Sequence, residues 1–404
     1  MSHLRLALLL GMTVALAPLS IDAYLPAFPE IADWLGIPHT QVGLTLSAYV
    51  MTLGLAQLVG GPLSDRYGRK PILFAGLFVF ACGALMVSFA STLSEMIFWR
   101  VVQALGGASC AVSVPALVRD QVRGQDAARL FGLIGLIMFI APAAAPSLGS
   151  LMLALGEWQW IFLMLAGYAG CLMLVLNLAL FPSLKPHTPT RTPVGTLVTN
   201  YLLVLKHKIT MRFIGIQVLC FSMMLLFITH SSFIYQEWFG LSKSHFSLLF
   251  AANIGLMALL NLINRPLLRH FASAVLVRAQ VILQCLALVA LFITTLLGGS
   301  VWAVAPCMIL AIGFQGGIVP NNMANAMEFF PKLSGTASAL LGASQFTIAG
   351  AISSVSSSFG DLSLPTIAAG MLVCSIGAVL LALGAPNAVS KARLSEPTDN
   401  PQTY

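Results

Sequence analysis

Asp22 and Arg100 are charged residues that lie inside otherwise apolar stretches of this 404-residue sequence. Asp22 is the only carboxylate deep within such a stretch, and it lies in residues 18–26, which read Pro-Leu-Ser-Ile-Asp-Ala-Tyr-Leu-Pro. Burial of a carboxyl group favours its neutral form, so an acid in this setting is a candidate proton carrier. The alternative is a residue at the end of a membrane segment that lies among lipid headgroups, which Pro26 and Pro29 would allow.

Arg100 is the only cation within an apolar stretch, and residues 100–107 read Arg-Val-Val-Gln-Ala-Leu-Gly-Gly. With the topology argued below, Asp22 and Arg100 both lie in the outer halves of their segments, at similar depth. We therefore expect both residues to take part in proton coupling. The alternative for Arg100 is a side chain that extends toward the outer membrane interface.

The composition of the chain requires a membrane around these residues. Hydrophobic residues make up 58% of the sequence and charged residues only 8%, whereas a soluble domain carries about 25% charged residues. This excludes a cytosolic enzyme, a secreted domain and a disordered regulator. Only helices and closed barrels cross lipid, and the repeated apolar runs of 18 or more residues indicate helices.

Twelve apolar runs are present, and they predict an all-α membrane protein. They fall at about 5–29, 42–62, 71–90, 94–118, 129–154, 159–182, 211–236, 245–266, 273–297, 300–326, 335–357 and 363–385. The domains expected from them are an N-terminal six-helix half (1–182), a hydrophilic cytoplasmic linker (183–210), a C-terminal six-helix half (211–385) and a cytoplasmic tail (386–404). Residues 4–20 are expected to be a retained first helix and not a cleaved signal peptide.

The distribution of Lys and Arg predicts the topology. With the N-terminus inside, eighteen of these residues fall on the cytoplasmic side and only Lys243 falls outside. Both termini are therefore expected in the cytoplasm, and the net charge of +7 reflects this asymmetry and not a nucleic-acid partner. The seven cysteines occur singly and predict neither disulfides nor a metal site.

Residues 61–71 read Gly-Pro-Leu-Ser-Asp-Arg-Tyr-Gly-Arg-Lys-Pro, between the second and third helices. This segment resembles the loop motif G-x-x-x-D-R-x-G-R-[RK] of the major facilitator superfamily at every defining position. The resemblance implies twelve helices in two related six-helix halves.

The charges of Asp65, Arg66 and Arg69 in this motif suggest a latch between the halves on the cytoplasmic side. Gly61 permits close helix contact and Gly68 a tight turn. Asp65 is placed to face the N-terminal end of the eleventh helix, near 334–336, and Arg69 is expected to pair with Asp120. Ordinary positive-inside topology is the alternative, and it explains Arg66 and Lys70 but neither Asp65 nor the glycines.

The fifth helix contains the run Ala-Pro-Ala-Ala-Ala-Pro-Ser-Leu-Gly-Ser at 141–150. It resembles the antiporter motif G-x-x-x-G-P-x-x-G-G, with Pro146 and Gly149 kept and small residues at several glycine positions. The resemblance implies export, with Pro142 and Pro146 bending a closely packed helix. A bent helix without directional meaning is the alternative.

Taken together, residues 18–26, 61–71, 141–146, 158–162 and 334–338 resemble the bicyclomycin/chloramphenicol-resistance (Bcr/CflA) branch of the superfamily. Arg100 and Gln103 are similar to the superfamily's fourth-helix motif R-x-x-Q-G-x-G, although Ala104 replaces one glycine. The resemblance implies a drug:proton antiporter of the bacterial inner membrane. Val14 stands where some related exporters carry a second acid, so Asp22 is expected to act alone.

The resulting hypothesis is a proton-coupled multidrug exporter of small amphipathic antibiotics, such as chloramphenicol-type compounds, that works by alternating access. A proton-coupled exporter of a metabolite (amino acid, sugar or purine) on the same fold is the alternative. An enzyme is not expected, because the helices contain no paired carboxylates and no nucleophile with its base. No cofactor, metal or nucleic acid is expected, and the chain is expected to be a monomer. Polar and aromatic residues within the helices are candidates for substrate binding: Tyr24, Tyr49, Gln103, Phe221, Tyr235, Asn253, Gln315, Asn322 and Gln345.

Overall fold

The protein is described by a computed structural model over residues 3–122, 124–184, 194–330, 333–359 and 362–386. Within these ranges, twelve helical segments are long and apolar enough to cross a membrane, as the sequence predicts. Residues 387–404 of the expected tail, residues 185–193 of the expected linker, and Arg123, Lys332 and Asp361 lie outside the described residues. We name the segments spans 1 to 12 in chain order: Leu4–Leu35, His39–Tyr67, Arg69–Val87, Leu93–Gln121, Arg129–Leu155, Gln159–Ser183, Lys208–Trp238, Lys243–Leu267, Ser273–Leu296, Val301–Met327, Ser334–Ser358 and Leu364–Leu383.

The helical geometry changes inside several spans. Span 1 consists of the helix His3–Asp22, a 3₁₀ turn at Leu25–Ala27 and the helix Phe28–Leu35. Span 10 is divided into the helices Val301–Gly313 and Gln315–Met327. The helices Gln159–Val175 and Lys208–Ser232 of spans 6 and 7 each continue into π-helical turns, Leu176–Leu180 and Phe233–Trp238. A final 3₁₀ turn, Phe181–Ser183, ends span 6, and the helix of span 5 covers Gly124–Leu155.

Successive spans run in opposite directions through one bundle. We call the end that holds His3 and the turn at Gly68 the terminal end, and the opposite end the distal end; spans 1–6 are the first half and spans 7–12 the second half. In the first half, span 4 packs against spans 2 and 3, and span 1 against span 5. In the second half, span 7 packs against spans 11 and 12. The halves meet where span 2 contacts span 11 and where span 5 contacts span 8.

Glycines bring spans 2 and 11 together backbone to backbone. A Cβ atom built on Gly54 would lie 2.7 Å from the backbone nitrogen of Thr347, and one built on Gly350 would lie 2.8 Å from that of Met51. Both distances are too short for any side chain. The absence of side chains at these two positions therefore allows the close contact between the halves.

The stretch 183–210, predicted to be the linker between the halves, contains a helix. This helix, Val194–Lys206, packs against span 11 and the start of span 7. We call it the linker helix. Val204 of this helix is fully buried and Leu202 is exposed. The helix forms because its apolar residues recur at helical spacing, although polar residues on both sides lower the average hydropathy of the stretch.

Candidate functional site

A cavity of about 220 Å³ lies between the two halves, near the middle of the spans. Its walls are formed by spans 1, 2 and 5 of the first half and by spans 7, 8, 10 and 11 of the second. The walls are apolar apart from Asp22 and Asn253, the polar residues among its described lining. Ligand pockets usually measure roughly 300–1,000 Å³, so this cavity suits a small, largely apolar molecule.

Asp22 is the last residue of the first helix of span 1, and it is one of the residues that line this cavity. The residue is 4% exposed, and its Oδ1 atom has no hydrogen-bond partner. No Lys, Arg or His of the described residues lies within ion-pair distance of the carboxyl group. Among the described lining residues, Asp22 is therefore the one titratable group of a largely apolar cavity that both halves line.

Two of the nine candidate substrate residues line the cavity, namely Phe221 and Asn253. The ring of Phe221 in span 7 meets that of Phe346 in span 11, with centroids 5.0 Å apart and planes at 87°. Asn253 in span 8 is fully buried and donates from Nδ2 to the carbonyl oxygen of Leu249 at 2.7 Å. These residues place one aromatic surface and one amide opposite the carboxyl group of Asp22.

Arg100 lies inside the first half and not in the cavity. Its side chain is fully buried and donates from Nη1 to Oε1 of Gln103 at 2.7 Å and from Nη2 to the carbonyl oxygen of Ser20 at 3.1 Å. The guanidinium carbon also lies 4.6 Å from the ring centroid of Tyr24 and 4.2 Å from that of Tyr49. Within the described chain, Arg100 has no carboxylate partner, so the aromatic faces and two oxygens supply its stabilisation.

Arg100 and Asp22, which the sequence places at similar depth, do not contact each other directly. Arg100 binds span 1 through the carbonyl of Ser20, two residues before Asp22, while Asp22 is a lining residue of the cavity. The two charged groups form no ion pair. The structure thus connects Arg100 to Asp22 through the backbone of span 1 and not through a direct contact.

Seven of the candidate substrate residues do not line the cavity, which corrects the expectation from sequence. Tyr24, Tyr49 and Gln103 surround Arg100. The other four lie within the second half, where the side chain of each has a hydrogen-bond partner. Tyr235 donates to Sδ of Met308, Gln315 to the carbonyl of Cys220 and Asn322 to the carbonyl of Phe213, while Gln345 accepts from Gln217.

Span 5 approaches span 1 closely next to the cavity. Pro142 lines the cavity, and a Cβ atom built on Gly149 would overlap the carbonyl oxygen of Ala23. Pro146 lies inside the same helix. One turn beyond it, the hydroxyl of Ser150 lies 3.0 Å from that of Ser247 in span 8 and joins the halves. The glycine is thus required by a helix contact beside Asp22.

At the terminal end, the motif residues form a charge cluster. Nε of Arg69 lies 2.9 Å from Oδ2 of Asp120, the pair expected from the sequence, and Nη1 pairs with Asp65 and lies 3.3 Å from the hydroxyl of Ser64. Gly68 has φ +99°, which only glycine adopts readily, and this explains the glycine in the turn between spans 2 and 3. Arg66 lies over the ring of Tyr67, 5.5 Å from its centroid, and takes no part in the cluster.

Asp65 and Gly61 also line a second cavity, of about 310 Å³, at the same end. The opposite wall includes Gly335 and Thr336 at the start of span 11, the segment that Asp65 was expected to face, and the linker helix contributes Tyr201. Partial burial raises the pKa of the Tyr201 phenol. The hydroxyl is therefore protonated at neutral pH and available as a donor.

At the distal end, the structure contains contacts between the halves that the sequence reasoning missed. Lys243 pairs with Glu30, and Nδ1 of His39 lies 2.5 Å from Oε2 of Glu237. Further in, the Ser353 hydroxyl of span 11 bonds to Ser47 of span 2 at 2.8 Å. A signal for one pair was present in the sequence, because Lys243 is the only cation expected on the outer side.

Behind these contacts, the imidazole of His230 in span 7 is fully buried, and its Nε2 lies 2.9 Å from the hydroxyl of Ser356. Across the part of the chain that the structure describes, no three His, Cys, Asp or Glu side chains are grouped closely enough to hold a metal ion. The polar groups at the distal end therefore serve contacts between spans.

Comparison with known proteins gives the same architecture. The family model described as Major Facilitator Superfamily matches residues 10–354. A bicyclomycin resistance protein homolog of Haemophilus influenzae is 29% identical over 342 residues, which cover 84% of this chain and 86% of that protein. A chloramphenicol resistance protein of Pseudomonas aeruginosa is 36% identical over 156 residues, 38% of this chain and 37% of that protein. The crystal structure of a D-xylose-proton symporter shares the fold, with a TM-score of 0.77 at 12% identity over 95% of this chain and 98% of the other.

The twelve spans, the family match and the bacterial relatives define a multi-pass transport protein of the bacterial inner membrane, and not an enzyme. The chain belongs to the Major Facilitator Superfamily. This confirms the fold and the family that the motif at 61–71 indicated. Its relatives include proteins named for bicyclomycin and chloramphenicol resistance, in agreement with the branch that the sequence resembles.

Proposed function

We propose that this protein exports small amphipathic antibiotics across the bacterial inner membrane in exchange for protons. The observation that carries the proposal is the carboxyl group of Asp22, which among the described lining residues shares the otherwise apolar cavity between the halves with only one other polar residue, Asn253. The solvation of a carboxyl group in such a cavity differs greatly between its ionised and its neutral form. A bound drug changes that solvation and therefore the equilibrium between the two forms. The names of the relatives support antibiotics as the substrate class.

In the proposed cycle, the cavity opens at the terminal end, Asp22 releases its proton to that side, and the ionised carboxylate then accepts the drug. A proton that arrives from the distal side neutralises Asp22 and releases the drug there. The halves rock about the close contacts of Gly54 with Thr347 and of Gly350 with Met51. The distal contacts, such as Glu30 with Lys243, break when the distal side opens.

The other motif residues have supporting roles in this proposal. Arg100 acts as a positioning residue for proton coupling, because it holds the backbone of span 1 just before Asp22. Gly149 allows span 5 to move against span 1 without a side chain between them. The ion pairs of Arg69 with Asp65 and Asp120 lie within the first half, and the cluster latches the terminal end through Asp65, which shares a cavity with the start of span 11.

We further propose that the terminal end faces the cytoplasm and that the chain works as a monomer. The strong excess of Lys and Arg in the segments of this end supports the orientation. Protons enter from the periplasm, so each cycle uses the inward proton gradient to expel one drug molecule.

The test is drug-induced proton release in everted membrane vesicles with an acid interior, followed with a pH-sensitive fluorescent dye. Chloramphenicol is the first compound of the panel. We expect it to discharge the pH gradient in vesicles with wild-type protein and to have no effect with Asp22→Asn. Asp126→Asn is the matched control, because that exposed aspartate lies far from the cavity and should leave the response unchanged.

Equal responses from Asp22→Asn and wild type would show that Asp22 does not carry the proton. A panel in which no drug acts on folded wild-type protein would contradict drug export. The metabolite exporter would then become the leading function for this fold.

A further inference from the structure

The contact between His39 and Glu237 joins the two halves at the distal end through a group that can gain a charge. His39 is the first residue of span 2, and Glu237 lies in the π-helical turn that ends span 7. Nδ1 of the imidazole lies 2.5 Å from Oε2 of the carboxylate. The two side chains are 23% and 44% exposed, and both residues line a cavity of about 420 Å³ at this end. The pair is therefore accessible to protons from the distal side.

The strength of this contact depends on the protonation of His39. A carboxylate only accepts hydrogen bonds, so the ring nitrogen that contacts Glu237 must carry a proton. A neutral ring supplies that proton, but an ion pair forms only when the second ring nitrogen is protonated as well. Histidine is the side chain whose charge ordinarily changes between about pH 5 and 8, whereas a glutamate in water is ionised throughout that range.

The positions of the two residues in their helices make each charge depend on the other. His39 lies in the first turn of span 2, where the positive end of the helix dipole disfavours a cation. Glu237 lies in the last turn of span 7, where the negative end disfavours an anion. Each charge is therefore stabilised by the other half of the molecule and not by its own helix. The charged form of His39 is favoured while the distal end is closed and disfavoured when the halves separate there.

The other titratable groups at this end, on the elements that pack against span 2, have different surroundings. They are Glu30, which pairs with Lys243, Asp33, which lines another cavity with Glu157, Glu95, which accepts from Ser91, and His230, which contacts Ser356. Span 11 contains no charged residue. Among the described residues, Glu237 is thus the one charged partner within ion-pair distance of His39.

We propose that His39 is a proton-sensitive residue of the distal gate, which we define as the two pairs His39 with Glu237 and Lys243 with Glu30. Protonation of His39 from the distal side strengthens its pair and favours closure of that end. This inference rests on the proposed function for its place in the cycle. Protons on the distal side neutralise Asp22 and release the drug, and they also favour closure of the gate afterwards. His39 returns its proton to the same side when the gate reopens, so it is a positioning residue and adds no proton to those that cross the membrane.

The test measures the opening of the distal end by electron–electron dipolar spectroscopy. Spin labels are attached at Phe89→Cys in the first half and Leu297→Cys in the second, two positions that are exposed at this end. The native cysteines are replaced by alanine, and every protein carries Asp22→Asn, so that Asp22 contributes nothing to the pH response. We expect the ratio of closed to open protein to rise about two- to fivefold from about pH 8 to about pH 5.5, the effect of one exposed ion pair.

Four variants distinguish this pair from other causes of a pH response. His39→Gln and Glu237→Gln should both lose the response, because no ion pair forms in either. His39→Lys remains charged over this range and should keep the closed fraction as high at the alkaline pH as at the acid one. Lys243→Gln is the matched control, because its pair with Glu30 joins the halves at the same end and does not titrate in this range. It should open the gate equally at both pH values and retain the response.

The inference is overturned if the protein with native His39 shows no pH response, if the response persists in His39→Gln, or if it disappears in Lys243→Gln. Each of these outcomes leaves the proposed drug export standing, because the vesicle assay tests export separately. A response that follows His39, together with vesicles in which no drug acts, would support the gate and contradict drug export. The dipolar measurement reports only folded, labelled protein, so a lower yield of any variant does not change the ratio.

Discussion

Replacement of Arg100 by lysine and by methionine distinguishes a geometric role of the guanidinium from a role of its charge. We expect Arg100→Lys to be clearly less stable than wild type, and Arg100→Met to be the more stable of the two variants. This order is the reverse of what chemical similarity suggests. It follows from the environment of Arg100, which is fully buried and has no carboxylate partner among the described residues.

The magnitudes follow from the contacts. Lysine keeps the buried charge but has one point-like donor group, so it loses at least one of the bonds to Gln103 and Ser20, at about 1.5–3 kcal/mol. It also loses part of the cation–π contact with Tyr24 and Tyr49, at about 0.5–2 kcal/mol. Methionine leaves two oxygens without donors but removes the several kcal/mol needed to desolvate a charge, and these two effects offset each other.

The assay is thermal unfolding of the purified protein in detergent, followed by tryptophan fluorescence. We expect a loss of about 2–5 kcal/mol for lysine, summed from the same two contributions, and a smaller one for methionine. A lysine variant as stable as wild type would refute the reasoning. It would mean that the charge itself is compensated by an anion and that the two hydrogen bonds contribute little.

Three further substitutions test the contacts between spans. Gly149→Ala should lower the Tm by several degrees, because overpacking of this kind costs about 1–3 kcal/mol. Gly167→Ala is the control and should leave the Tm unchanged, because its methyl group meets no atom within 4 Å. Equal shifts in Tm for the two variants would contradict the close contact of spans 1 and 5. Asp120→Asn should cost about 1–3 kcal/mol in denaturant unfolding because it removes a partner of a largely buried arginine, with the exposed Asp126→Asn as a control that changes stability by less than about 0.5 kcal/mol. Lys243→Gln should cost less than about 1 kcal/mol, since the side chains of that ion pair are 39% and 38% exposed; a larger loss in the same measurement would show that the distal contacts depend on this pair.

The spans were predictable because the requirement for about twenty apolar residues is local in sequence. The environment of Asp22 was predictable for a similar reason, since a carboxylate within an apolar membrane segment faces a cavity or a polar partner and not lipid. The pairing of Arg69 with Asp120 followed from their positions at the same end of neighbouring helices. Each of these predictions needed only the order of the helices.

The direction of individual side chains was not predictable. The first helix of span 1 ends at Asp22, so helical periodicity does not give the direction of Tyr24, which contacts Arg100 while Asp22 lines the cavity. Asn322 and Gln315 looked like substrate contacts, but they donate to carbonyl groups of span 7 about a hundred residues away in sequence. Such partners depend on how spans rotate against one another, which a single sequence leaves open.

The single acid in the cavity also fixes the electrical balance of the proposed cycle. When an uncharged antibiotic leaves and one proton enters at Asp22, one net positive charge moves inward, so export draws on the membrane potential as well as on the pH gradient. The potential contributes about 2.3 kcal/mol per 100 mV for that charge. A drug that carries one positive charge cancels this movement, and only the pH gradient then drives its export. Cells with a collapsed potential but an intact pH gradient would therefore lose much of the export of uncharged antibiotics and retain that of any cationic compound that still binds.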